Sequence, residues 1–236
     1  MSAKPKVIVY VDGFNLYYGA VKNTSFKWLD IVKLFRRIMG GNPNVVLLRY
    51  FTAKVKSPPW DADKALRQQI YLDALRGTGL IEVHYGKFKI RGKKGKLSKE
   101  ITSKCATCGS SVTIPEGTKT LIETPEEKGS DVNLASYLLL DAAKDRFDMA
   151  WVISNDSDLA TPVLLARKEF GKKVGVVFYH RGLTAQKANP QRRSDELFHA
   201  AGKVHLYLQQ NHLQHSLFPD QFKGVDGKIH RKPKSW

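Results

Sequence analysis

The stretch Val7-Ile8-Val9-Tyr10-Val11-Asp12-Gly13-Phe14-Asn15 decides the architecture. This apolar run reads as a first strand, and the alternation of such β-rich runs with amphipathic stretches along the chain argues for a parallel sheet covered by helices. The run ends at Asp12-Gly13, with Asn15 close behind, so a carboxylate and a turn follow the strand directly. In open α/β sheets that end is where ligand sites form.

The same alternation continues outward from this strand. Residues 26–39 carry apolar side chains at helical spacing and stop at Gly40-Gly41-Asn42-Pro43. Residues 45–51 read as a strand, and Asp61 or Asp63 can cap a helix reaching about Arg76. Residues 80–85 read as the third strand. The alternation then breaks into a lysine-rich stretch, read as an inserted arm over about 86–124. It resumes with a helix over 131–144 capped by Ser130, a strand at 149–153, a helix to Phe170, a strand at 174–178, a helix at 195–201 and a short strand at 204–207. The expected fold is α/β with a central, mostly parallel sheet. One domain spans 1–208, and 209–236 is expected to be a basic tail.

Charge narrows the function. Lys and Arg number 39 against 22 Asp and Glu, a formal net charge of +17, which favours polyanionic partners and nucleic acid first. No apolar run reaches the roughly 18 residues a membrane span needs, and the two cysteines build no disulfide framework, so a cytoplasmic location without membrane association is expected.

Against this positive background, four acids fall at equivalent topological positions. Asp12 follows the first strand, Asp156 and Asp158 follow the strand at 149–153, and Asp131 opens the helix after the insertion. If those two strands are neighbours, about 5 Å apart, the four carboxylates converge. Their mutual repulsion calls for a cation, and Mg²⁺ or Mn²⁺ suits an all-oxygen set. Such ions activate water for attack on a phosphodiester and stabilise the leaving oxygen.

Three motifs, Tyr10-Val11-Asp12-Gly13-Phe14-Asn15, Glu126-Glu127-Lys128-Gly129-Ser130-Asp131-Val132-Asn133-Leu134-Ala135 and Ser154-Asn155-Asp156-Ser157-Asp158-Leu159, together resemble the NYN family of PIN-like metal-dependent nucleases, in a bacterial subgroup. The resemblance implies a PIN-like three-layer α/β/α sandwich and an endoribonuclease for single-stranded RNA that depends on Mg²⁺ or Mn²⁺. It makes Asp12, Asp131, Asp156 and Asp158 the catalytic, metal-binding acids. Asn15 would orient a ligand or the substrate phosphate, Ser154 would fix its turn, and Glu127 would assist. Asn155 stands where many relatives carry glycine. A non-catalytic RNA-binding module and a DNA nuclease with the same metal site are the alternatives.

Outside the motifs, Lys87, Lys89, Arg91, Lys93, Lys94 and Lys96 form a basic stretch suited to a phosphate backbone, and Arg181, Arg192 and Arg193 could face the same edge. Cys105-Ala106-Thr107-Cys108-Gly109 looks like half of a zinc ribbon. His84 or a second subunit could supply further ligands, which would make the protein a homodimer, but a plain hairpin turn is the simpler reading of Cys105 and Cys108.

Overall fold

In the computed structural model, residues 3–179 and 194–236 are described, with Lys93 and residues 122–125 described by backbone alone. The chain forms two compact units, residues 1–87 with 129–236, and residues 88–128.

The first unit is built on β1 (Lys6–Asp12), β2 (Asn44–Thr52) and β3 (Ile81–Tyr85), with α1 (Gly13–Leu16), a π-turn over Tyr17–Val21, α2 (Ile31–Ile38) and α3 (Lys64–Arg76) between them. The second unit contains β4 (Lys87–Lys96, entered at Lys87), β5 (Ile101–Lys104), β6 (Ser111–Ile114) and β7 (Lys119–Lys128). The first unit then resumes with α4 (Ser130–Ala143), β8 (Met149–Ile153), a 3₁₀ turn over Ser157–Leu159, α5 (Ala160–Lys168), β9 (Lys173–Tyr179), α6 (Asp195–Ala201), β10 (His205–Leu208), α7 (Gln210–Gln214), β11 (Gln221–Lys223) and β12 (Ile229–Arg231).

Six strands form one sheet in the order β10-β9-β8-β1-β2-β3, every neighbouring pair parallel. Alternation along β1 sends Val7, Val9 and Val11 into one core with Leu34 and Phe35 of α2 and Leu72 of α3. It sends Ile8 and Tyr10 into a second core with Leu134 and Leu138 of α4 and Val163 of α5. The sheet is therefore covered on both faces, the three-layer PIN-like arrangement that the resemblance implied. β1 lies between β2 and β8, with Val11 opposite Ile153, so Asp12 and Ser154 leave the sheet side by side.

Two segments differ from their sequence reading. Residues 26–29 are not helical, because Leu29 bridges to Leu217 and the Asp30 N–H donates to the Ser216 carbonyl; Asp30 then caps α2 through the Lys33 N–H. Residues 209–236 carry α7 and the β11–β12 hairpin, and Phe218 packs against Trp28, whose indole N–H donates to the Pro219 carbonyl at 2.8 Å. The lysine-rich insertion, read as an insertion or hairpin arm, agrees with that reading in being built of strands, with β4 beside β7 and β5 beside β6.

Candidate metal centre

Each acid reaches the site through local backbone requirements. Asp12 caps α1: its Oδ1 accepts from the Asn15 N–H at 3.0 Å and its Oδ2 from the Ser154 hydroxyl at 2.9 Å. Ser154 is fully buried and its Oγ also accepts from the Asp156 N–H at 3.1 Å, so one hydroxyl ties the ends of β1 and β8 together. Asp156 caps the following 3₁₀ turn by accepting from the Asp158 N–H at 3.0 Å. Asp131 stands in the first turn of α4, entered through Gly129 at φ 93°, a left-handed conformation that glycine adopts without a Cβ clash. Negative charge is favoured at that helix end.

Carboxylate oxygens of Asp12, Asp131 and Asp156 lie within 4.8 Å of one another, the only such group of three acidic, histidine or cysteine side chains among the described residues. Asp158 is exposed and outside this group. Asp12 is 3% exposed. Burial, together with the charges of Asp131 and Asp156, outweighs the hydrogen bonds from Asn15 and Ser154 and pushes its carboxyl up to about 7. An acid raised in this way, by burial first and by its neighbours' charge second, holds its own charge at neutral pH at a cost that a bound cation would remove. The donor set is entirely oxygen, which fits a hard divalent cation and not a thiophilic one.

A polar frame surrounds the acids. The Asn15 carboxamide oxygen accepts from the Asn155 N–H at 3.1 Å and from the Tyr179 hydroxyl. The Asn155 side chain donates to the Tyr179 carbonyl and accepts from its N–H. A side chain at Gly19 would strike the Tyr179 ring, so the π-turn lies close against it. Asn155 and Tyr179 were not legible as site residues: Asn155 registers in sequence only as a departure from glycine, and Tyr179 as the last residue of a buried strand.

The remaining predicted residues are placed as follows. Lys87, Lys89, Arg91, Lys94 and Lys96 are exposed on β4, with Arg91 3.8 Å from Glu126; Lys93 lies on the same strand. Glu127 is on β7, in the second unit. Arg181, Arg192 and Arg193 lie outside the described residues. Cys105 and Cys108 are exposed in the turn between β5 and β6, and the Ser110 hydroxyl beside Cys108 brings its thiol down to about 7. His84 is occupied elsewhere, 3.1 Å from Arg49 and stacked on Phe51.

A doubly covered parallel sheet with an acid cluster at the carboxyl ends of adjacent strands defines a PIN-like α/β protein. The chain belongs to the NYN domain family, whose pattern matches residues 6–205. Over 190 residues it is 30% identical to 6-hydroxy-3-succinoylpyridine 3-monooxygenase HspA of Pseudomonas putida, a match covering 72% of this chain but only 58% of that relative's length. A Vibrio parahaemolyticus protein of unknown function shares the fold, with a TM-score of 0.53, 19% identity, and coverage of 89% of this chain and 98% of the other. No helix among the described residues is long and apolar enough to cross a membrane.

Proposed function

We propose that this protein is a metal-dependent endoribonuclease acting on single-stranded RNA. The observation that carries the reading is the convergence of Asp12, Asp131 and Asp156 within 4.8 Å, with Asp12 buried and locked by two hydrogen bonds. Mg²⁺ or Mn²⁺ held there supplies Lewis acidity toward water and neutralises phosphate charge. The chain's own part is preorganisation. Asn15 and Ser154 fix the Asp12 carboxylate, Asp156 is fixed by the turn it caps, and Asp131 is presented by a helix end. Asp158, exposed beside the cluster in sequence, is assigned to substrate approach or to a second ion. The basic β4 strand supplies affinity for the phosphate backbone.

The test is cleavage of an end-labelled single-stranded RNA in Mn²⁺, compared with Asp12→Asn and Asp156→Asn. Loss of about 10²-fold or more in both variants is expected, and equal cleavage by variants and wild type would defeat the assignment. Single-stranded and flapped DNA run alongside decide the substrate class.

One observation favours a second reading, the 30% identity to a relative named as a pyridine monooxygenase. Oxygenation of 6-hydroxy-3-succinoylpyridine by the purified chain, seen as a product mass, would move the function to small heteroaromatic chemistry.

A further inference from the structure

A cavity of about 530 Å³ opens beside the acid cluster, bounded by the α1–π-turn segment, the end of β2, α3 and Trp236. Its volume lies within the roughly 300–1,000 Å³ of small-molecule sites. Its walls are aromatic: Tyr17, Tyr50, Tyr71 and Trp236 line it, with Tyr50–Tyr71 and Tyr71–Trp236 ring centroids 6.5 and 5.7 Å apart. Its rim is basic. Lys22, Lys27, Lys64 and Arg67 stand there against a single acidic side chain, Asp61, which Arg67 holds at 2.6 and 2.7 Å. That pairing leaves Lys22, Lys27 and Lys64 without an acidic side chain among the lining residues, Lys22 lying over the Tyr18 ring.

Two details tie the cavity to the metal centre. Gly13, the residue after Asp12, is part of its wall, and a Cβ at Gly13 would sit 2.6 Å from Cζ of Tyr50, so the hydroxyl end of that ring lies against the cluster's own turn. Tyr50 is 6% exposed, and among the described residues its hydroxyl has no hydrogen-bond partner. That hydroxyl is not one of the fully buried unpaired polar atoms, which among the described residues are Trp151 Nε1 and Ser216 Oγ, so it is open to solvent. Tyr71, by contrast, spends its hydroxyl on the Leu29 carbonyl at 2.8 Å.

We infer that this cavity is a nucleotide pocket: one base enters the aromatic box, its edge is met by the Tyr50 hydroxyl, and its phosphate is held at the lysine rim beside Asp12. Aromatic walls bind a base through its π-face, while the lysines favour an anionic group over a neutral ring. The inference rests on the nuclease reading and deepens it. The enzyme would cut next to a base held out of the strand, so it would require an unpaired nucleotide at that position.

Isothermal titration calorimetry of the full chain with 5′-AMP, 5′-UMP, inorganic phosphate and nicotinate tests this, alongside Mn²⁺ binding followed by electron paramagnetic resonance. Val55 lines the cavity and is half-buried, so Val55→Trp should fill it and Tyr50→Phe should remove one hydroxyl. The expected result is nucleotide binding at least tenfold tighter than phosphate, weakened about tenfold by Val55→Trp and a few-fold by Tyr50→Phe, with Mn²⁺ binding retained in both. Retained Mn²⁺ binding reports an intact fold, and Tyr50→Phe carries the test if Val55→Trp does not fold. Equal binding of phosphate and nucleotide, or nucleotide binding indifferent to both substitutions, overturns the pocket. Nicotinate binding tenfold tighter than either nucleotide overturns it in favour of a small aromatic acid. RNA cleavage without a substitution-sensitive nucleotide site would sink the pocket and leave the nuclease reading standing, whereas a substitution-sensitive site in a protein that cuts no RNA would do the reverse.

Discussion

Asp12 is the residue on which the site's energetics turn. In the unfolded chain its carboxyl ionises near its ordinary value of about 4, but in the metal-free fold it does so at about 7. Between those values the folded state binds more protons than the unfolded one. The group's contribution is therefore favourable at low pH, declines as pH rises from about 4 to about 7, and stays low above that. A cation at the cluster reverses this by stabilising the ionised form. Asp12→Asn keeps the shape without the charge, so in chelator at pH 8 the variant should be more stable than wild type by about 1–3 kcal/mol, and the gain should vanish near pH 4. Melting curves across pH measure both, and a constant difference between the two proteins would remove the buried-charge account. For the same reason, the Mn²⁺-induced rise in wild-type melting temperature should be larger at pH 8 than at pH 6. Ser154→Ala leaves the three acids in place but deletes the hydroxyl shared by Asp12 and Asp156; Mn²⁺ affinity should fall about 10-fold, as for other groups that orient metal ligands. At this scale the sequence was informative about three acids that converge, Asp12, Asp131 and Asp156, since each stands where a strand ends or a helix begins. It was uninformative about geometry: only Ser157 separates Asp156 from Asp158, and the 3₁₀ turn that Asp156 caps leaves Asp158 exposed.

At the scale of elements, α4 must present Asp131 to strands it does not belong to. Its other end is fastened by Asp141, which is completely buried and accepts from the Tyr10 hydroxyl at 2.7 Å, from Arg49 at 2.8 and 3.2 Å, and from Arg146 at 2.8 Å. Tyr10 lies on β1 and Arg49 on β2, so one carboxylate clamps the helix to two strands. Burial pushes the Asp141 carboxyl up, but the hydrogen bonds from Arg49, Tyr10 and Arg146 and the Arg49 charge more than offset it and hold it below the ordinary range. Its stabilisation is therefore complete above about pH 4 and lost as pH falls through the lower folded value. Asp141→Asn leaves the buried Arg49 guanidinium with Glu82 as its remaining carboxylate and should cost about 2–3 kcal/mol at pH 7, with a smaller penalty under acid; denaturant melts at pH 7 and pH 3 give the comparison. Nothing in the sequence marked Asp141 as more than one charge on a helix. The strand at 149–153 and the helix at 195–201 were readable residue by residue, because their apolar spacing and flanking turns are local. The start of α2 was not, since what stops helix over 26–29 is pairing with residues nearly two hundred positions away. The order of 209–236 was hidden likewise, because Phe218 and Trp236 find their partners in Trp28 and Tyr71.

Over the whole molecule, a formal charge of +17 coexists with a negative pocket of three acids. Under the proposed nuclease reading the two serve different steps: the excess positive charge would raise the local concentration of polyanion without choosing a cut site, whereas the pocket would act only on phosphate delivered to it with a cation. Binding and cleavage should therefore separate under mutation. Alanine at Lys87, Lys89, Arg91, Lys94 and Lys96, all exposed on β4, should weaken RNA binding and make it less salt-sensitive. For single strands each lost phosphate contact lowers the slope of log K against log salt by about 0.7, so losing all five should flatten it by about 3.5. Single-turnover cleavage at saturating RNA should stay within about 3-fold of wild type, because no acid has been altered. Asp156→Asn should show the converse pattern, with the salt slope preserved and cleavage lost. Fluorescence anisotropy across a salt series, paired with single-turnover rates, reads both quantities on the same RNA. If the five-alanine variant keeps the wild-type slope, the charge that gathers RNA lies elsewhere on the chain; if its saturated cleavage rate collapses with the affinity, β4 takes part in positioning the phosphate as well as attracting it.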